Sequence, residues 1–313
     1  MNYLIGLKFL FFFISSYIIF KLTIPLFNKF VIDKPVFRSL HVKPKPRGGG
    51  IVFSIFSAIF CSFQGFFWPL FNLPLSIVGF IDDIVSLPSS LRYLSQILTS
   101  IFCLKFLCEL TLEIQITNPL FWICVFIFTS IINFINFMDG IDGIVALNMI
   151  LIFSTVSISI KPSISPLIIS LIVFLRFNYP PARIFMGDAG STFLGSIFAC
   201  FIFSAESVES SFYLYLVGFP FFADCVTCII RRLFNNQNIF LAHKLHLYQR
   251  LYQAGIDNYK ILIIYSIPTF ILSYLWVNNN FHTQIYVTIL TFIIGLFLDK
   301  YFAKSFKKSI NNS

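Results

Sequence analysis

Charge is scarce in this sequence. Asp, Glu, Lys and Arg make up 11% of its 313 residues and the mean hydropathy is +0.86, far more apolar material than one soluble core of this length could hide from water. That excludes an ordinary water-soluble domain and places the chain in a bilayer. Zinc-type cysteine spacing with flanking ligands is also missing: the seven cysteines, Cys61, Cys103, Cys108, Cys124, Cys200, Cys225 and Cys228, lie almost entirely in apolar stretches. Cys225 and Cys228 do form a CxxC, but inside the run FFADCVTCII, which reads as small apolar residues on a buried helix. No small-residue cleavage pattern follows the first apolar run, so it reads as a retained span.

What is present is a series of apolar runs at about 3–27, 49–67, 70–81, 91–108, 119–138, 143–160, 164–178, 191–205, 211–230, 259–277 and 284–302. A span needs about 20 mostly apolar residues, so the expectation is one all-α domain over 1–313, a polytopic bundle of about 10–11 transmembrane helices. The run from Gly50 to Asp82 is short for two crossings and predicts a short, tilted or partly re-entrant helix. Alternation puts 28–48, 82–90, 139–142, 179–190, 231–258 and the tail on one face. Most of the Lys and Arg fall there, which by the positive-inside rule makes that face cytoplasmic. All four Glu (Glu109, Glu113, Glu206, Glu209) fall toward the other face, and all nine Asp lie on or near the basic one. The net charge of +9 then needs only topology to explain it and implies no nucleic acid.

Five polar islands emerge on that face. RSLHVKPKPRGGG carries Arg38, His41, Lys43, Lys45, Arg47 and three glycines, a basic turn that can bring cations and backbone N–H groups to phosphate. GFIDDIVSLPSSLR sets Asp82 beside Asp83, with Arg92 after them; adjacent carboxylates at a membrane boundary need a metal, a cation or a proton to be tolerated. NFINFMDGIDGI places Asn133, Asn136, Asp139 and Asp142 three residues apart, a column of oxygens on one helical face. Oxygen-only ligands suit Mg²⁺, with Mn²⁺ as a substitute. ARIFMGDAGSTFLG contributes Arg183 and Asp188 before another apolar run. AHKLHLYQRLYQAG offers His243, His246 and Arg250 along one amphipathic helical face. The two His could bind zinc, but no Cys or carboxylate lies nearby in sequence to complete the shell, so phosphate or leaving-group contact is the better reading. Together the islands describe phosphoryl transfer.

At these motifs (RxxH…PRGGG, the DD pair, NxxNxxDGxDG, FMGDxGS and HxxH, from Arg38 to about Gly255) the chain resembles the polyprenyl-phosphate N-acetylhexosamine-1-phosphate transferase family, glycosyltransferase family 4. The resemblance implies Asp188 as principal Mg²⁺ ligand with Asn136 a second. It implies Asp82 as the group that deprotonates or orients the polyprenyl phosphate and Asp83 as its support. Arg38, His41, Arg92, Asp139, Asp142, Arg183, His243, His246 and Arg250 would bind substrate. The partners implied are undecaprenyl phosphate, a UDP-N-acetylhexosamine, membrane lipid and a second copy in a homodimer. The setting implied is a bacterial inner membrane, with the active-site cleft open to the cytoplasm. The HKLHLYQRL form is similar to the branch that initiates O-antigen and related lipopolysaccharides, which favours UDP-GlcNAc, or a deoxy donor such as a UDP-FucNAc or UDP-QuiNAc, over UDP-MurNAc-pentapeptide. Ser86 stands where many relatives place a third acid. A transporter, the rival from another class, would carry acids at membrane depth rather than at one interface.

Overall fold

The computed structural model describes residues 2–33, 35, 43–106, 114–159, 163–239, 241 and 243–310. Each of the eleven apolar runs forms one or more helices over most of its described residues. The helices are α1 (Asn2–Phe30), α2 (Gly49–Ser62), α3 (Trp68–Val85), α4 (Ser89–Phe106), α5 (Pro119–Met138), α6 (Ile144–Ser159), α7 (Ser165–Asn178), α8 (Gly187–Phe203), α9 (Val208–Val217), α10 (Phe219–Phe234), α11 (Leu247–Gln253), α12 (Asn258–Val277), α13 (Phe281–Tyr301) and α14 (Phe306–Ile310). A two-residue antiparallel ribbon pairs β1 (Ile32–Asp33) with β2 (Lys45–Pro46). Pro69, Pro119, Pro166 and Pro220 each sit in a first turn, where the missing N–H costs nothing.

The protein is a multi-pass helical membrane bundle. Five helices, α1 from Gly6, α3, α5, α12 and α13, are long and apolar enough to cross a bilayer by themselves, and α9 with α10 forms a sixth candidate broken by a 76° bend. The stretch 50–82 resolves into two helices joined by a short turn. At 14 residues, α2 is about 21 Å long, too short for a hydrocarbon core of about 30 Å, as that segment's length predicts. Outward faces of α1 and α13 expose Phe11, Leu22, Ile289 and Leu290, as lipid contact requires.

The axis of the bundle is α8, buried along its whole length apart from Asp188 and packed against α2, α3 and α5. Two glycines set how closely it approaches α2: a Cβ on Gly50 would stand 2.1 Å from the backbone nitrogen of Gly190, so only bare backbones fit at this crossing. Polar side chains add inter-helix bonds inside. Ser76 Oγ donates to the Ala189 carbonyl at 2.9 Å, and Asn72 Oδ1 accepts from Ser196 Oγ and Cys103 Sγ. This close packing fixes the first turn of α8 against the last turn of α3, where the acidic residues meet.

Candidate active site

The last turn of α3 presents Asp82 and Asp83 side by side, within the helix rather than after it. Asp83 is buried and turned toward the start of α8, accepting from the backbone N–H of Asp188 at 3.0 Å and of Ala189 at 3.4 Å. A carboxylate there satisfies orphan amides and meets the positive end of the helix dipole. Gly187 permits the contact: its φ is +71°, and a Cβ would lie 2.1 Å from Asp83 Oδ2.

Two guanidinium groups lace the carboxylates together. Arg47, just before the Gly48–Gly50 turn, places Nε 2.9 Å from Asp83 Oδ1 and an Nη 2.7 Å from Asp188 Oδ1. Burial would lower its pKa, but Asp83 and Asp188 outweigh that and raise it. Arg92, in the first turn of α4, reaches Asp82 Oδ2 at 3.1 Å and Asp188 Oδ2 at 3.4 Å. Asp82 also accepts from the N–H of Leu87 at 2.6 Å. Asp139 follows the last residue of α5 and shares this field. Burial pushes its carboxyl up to about 8, with Asp188, Asp83 and Asp142 adding to the rise and Arg47 opposing it. Four carboxylates thus face two guanidinium groups, an excess of two negative charges if all ionise. Oxygen donors with that excess fit a hard divalent cation, and Asp188 and Asn136 offer oxygens on adjoining helices.

The column on α5 divides by function. Asn136 Oδ1 accepts from Ser191 Oγ at 2.8 Å and is tied to α8, whereas Asn133 donates to Gln96 of α4 at 2.7 Å and joins two helices. Because α5 ends at Met138, Asp142 lies in the following turn. It accepts from the N–H of Ala182 at 2.8 Å and pairs with Lys45 at 3.4 Å, holding the 179–183 turn near the site. Arg183 is exposed, its backbone N–H bonded to Phe177. Arg38 and His41 lie outside the described residues.

The fifth island departs from its sequence reading. Helix α11 begins at Leu247, so His243 and His246 precede it and only Arg250 is on the helix; the expected single amphipathic face does not form. A buried carboxylate from α10 redirects the chain there: Asp224 accepts from the N–H of Leu247 at 2.7 Å, the N–H of Tyr248 at 3.2 Å and the Tyr265 hydroxyl at 2.6 Å. His246 is buried, with Nδ1 3.4 Å from Asp224 Oδ1. Burial, with His246 and Arg232 nearby, lowers the His243 pKa to about 3. Arg250 is buried too, its guanidinium on Asp299, which also takes Arg231 at 2.5 Å. These residues adjoin the acidic cluster across one layer, in which Tyr248 donates to the Phe137 carbonyl at 3.0 Å and the Phe137 and His246 rings lie 6.0 Å apart.

The first four islands therefore converge on one end of the bundle, as alternation of spans requires. Arg47, which bridges two of the acids, was not singled out from the basic loop; its signal was its place immediately before the glycine triplet. Ser191, the partner of Asn136, is the serine of the FMGDxGS motif, to which the sequence assigns no role of its own.

The chain is similar in sequence to known proteins over most of its length. The model of glycosyl transferase family 4 matches residues 66–206, a span that holds Asp82, Asp83, Arg92, Asn136, Asp139 and Asp188. The undecaprenyl-phosphate alpha-N-acetylglucosaminyl 1-phosphate transferase of Thermotoga maritima is 27% identical over 237 residues, 74% of this chain and 76% of that one. The probable undecaprenyl-phosphate N-acetylglucosaminyl 1-phosphate transferase of Bacillus subtilis is 27% identical over 328 residues, 90% of each chain. A phospho-N-acetylmuramoyl-pentapeptide-transferase of Campylobacter jejuni is 28% identical over 276 residues, 70% of this chain and 76% of that one. With Asp82, Asp83, Asn136, Asp139 and Asp188 inside the matched region, the chain is similar to glycosyl transferase family 4 over residues 66–206.

Proposed function

We propose that this protein is a sugar-phosphate transferase that moves N-acetylhexosamine 1-phosphate from a UDP-sugar to undecaprenyl phosphate. Its active site lies on the cytoplasmic face of the bacterial inner membrane. The observation that carries the reading is the meeting of Asp82, Asp83 and Asp188 with Arg47 and Arg92 at one end of the bundle, with Asp139 in the same electrostatic field. Two of the relatives are named as N-acetylglucosaminyl 1-phosphate transferases acting on undecaprenyl phosphate, so UDP-GlcNAc is the first donor to test, before the deoxy donors UDP-FucNAc and UDP-QuiNAc. The muramoyl-pentapeptide relatives make UDP-MurNAc-pentapeptide the second reading. Initiation of an O-antigen or related lipopolysaccharide follows if the acceptor product is elongated.

In this reaction an oxygen of the lipid phosphate attacks the β-phosphorus of the donor. The bond from that phosphorus to the bridging oxygen of UMP breaks, UMP leaves, and a lipid-linked diphosphosugar remains. The side chains supply placement and charge. Asp82, at the bilayer edge and held by Arg92 and the Leu87 N–H, orients the acceptor phosphate or takes its proton. Arg92 and Arg47 then have guanidinium N–H groups in position to share the diphosphate oxygens. Asp83 positions rather than reacts, because its oxygens are committed to α8 and Arg47. Mg²⁺, or Mn²⁺ in its place, would be held by Asp188 and Asn136, and when bound it would neutralise charge on the transferring phosphoryl group.

The test is single-turnover UMP release by the purified protein from a panel of UDP-N-acetylhexosamines, with and without undecaprenyl phosphate and Mg²⁺. Release that needs both, and that falls by roughly 100-fold or more in Asp188→Asn as several kcal/mol of charge stabilisation is lost, supports the reading. Release from no donor would overturn it.

A further inference from the structure

The sequence separates Cys228 from the two histidines by a loop, and the fold removes that separation. The Sγ of Cys228, on the C-terminal half of α10, and one ring nitrogen each of His243 and His246 lie within 4.8 Å of one another. Cys228 and His246 are each 3% exposed. We propose that Cys228, His243 and His246 form a zinc site that clips the loop after α10 onto that helix, with a water in the fourth position. Sulfur and imidazole donors select a borderline-soft ion such as Zn²⁺ and disfavour Mg²⁺.

Three further observations point to the same ligand. The His246 Nδ1 atom is buried without a hydrogen-bond partner, although Asp224 Oδ1 stands 3.4 Å away. Zinc on Nε2 fixes the proton on Nδ1, which then donates to Asp224, the carboxylate–histidine–metal arrangement that orients ligating imidazoles. Asp224 is itself held by two backbone N–H groups and the Tyr265 hydroxyl, so it is a preset partner. Charge also balances, since the Cys228 thiolate and the Asp224 carboxylate together offset the two positive charges of the ion, with one proton released from the thiol on binding. Finally, Arg232 donates to the carbonyls of Asn238 and Ile239, already folding the loop back toward α10. Ligand atoms around tetrahedral zinc lie roughly 3.3–3.6 Å apart, so the site closes by side-chain adjustments on the order of 1 Å. A cavity of about 90 Å³ bordered by Asp224, Cys228 and Leu245 lies beside the sulfur.

Metal content decides this independently of transferase activity. The full-length protein, purified in detergent, is stripped with chelator, incubated with ZnCl₂, dialysed and assayed by inductively coupled plasma mass spectrometry. One zinc per chain is expected in the native protein and in Asp188→Asn. At least a tenfold weaker zinc affinity is expected in Cys228→Ser and in His243→Ala. Cobalt(II) loaded in place of zinc should give a thiolate-to-cobalt charge-transfer band that Cys228→Ser abolishes. Should a variant fail to accumulate, the cobalt spectrum of the native protein decides by itself. Zinc far below one per chain, zinc that survives both Cys228→Ser and His243→Ala, or a cobalt complex without the thiolate band would each overturn the proposal. Absence of UMP release with zinc bound would count against the transferase reading and leave this one standing.

Discussion

Two polar clusters sit back to back at one end of the bundle, and they differ in their donor atoms. The first is built of oxygens and guanidinium groups from the ends of α3, α4, α5 and α8 and from the loop before α2. The second is built of sulfur, imidazole and one carboxylate from α10 and the loop that follows it. The acidic cluster carries more negative charge than its two arginines offset, a tension suited to a divalent ion and an anionic substrate. The sulfur–nitrogen cluster is buried, with Cys228 and His246 each 3% exposed. Tyr248 and Phe137 form the wall between them. On the proposed readings, one face of a membrane enzyme keeps a reactive centre and a structural centre within one layer of each other by giving them different donor atoms.

The largest effect on this contrast is expected from Gly187→Ala. The new Cβ would collide with Asp83 and force a left-handed residue to carry a side chain, strain of about 1–3 kcal/mol. UMP release should drop roughly 100-fold, the scale of a misplaced catalytic group, with zinc content unchanged; loss of both would mean the two clusters are not separable. Next comes Arg47→Lys, which keeps the charge but cannot bridge Asp83 and Asp188 together. A fall in kcat of about tenfold is expected, the size of one interaction worth about 1.4 kcal/mol in the transition state. A change in KM alone would reassign Arg47 to ground-state binding.

The pH dependence sharpens the acidic side. With its carboxyl pushed up to about 8, above an unfolded value of about 3.9, Asp139 keeps a proton in the folded protein that the unfolded chain has lost. Its contribution to stability is complete below about pH 4 and is lost as pH rises through about 8. Without divalent ions, Tm in detergent should fall between pH 6 and 9; with Mg²⁺ the fall should shrink, and Asp139→Asn should flatten it. A rise in Tm over that range would mean Asp139 is ionised and paired. The smallest effect belongs to Tyr248→Phe, which removes one hydrogen bond worth about 1 kcal/mol from the dividing wall. Activity and zinc affinity should each shift only a few-fold; a large change in either would show that the wall transmits between the clusters.

Legibility in the sequence follows the same division. Asp82, Asp83, Asn136, Asp139 and Asp188 were readable because carboxylates and amides stand out in apolar surroundings and recur at short spacing. Asn133 and Asp142 shared that spacing without sharing the centre: the end of α5 at Met138 carries Asp142 into a turn, and Gln96 draws Asn133 to α4. Around Cys228 the signal failed because its neighbours in sequence are apolar and its partners lie 15 and 18 positions away, beyond a loop. His243 and His246 looked like one helical face, yet Asp224 starts the helix one residue after them.

By itself the sequence determined the solvent, the helices, the face on which the polar residues emerge and the acids that gather there. Each of those follows from local hydropathy, from alternation across a bilayer and from the cost of placing charge in lipid. Only the tertiary structure decided that Arg47 clamps Asp83 to Asp188, that Asp83 holds the start of α8, and that a cysteine of α10 meets two histidines from the loop beyond. Those contacts depend on how closely the helices cross and on where Asp224 ends a loop, which are properties of packing that no single segment encodes.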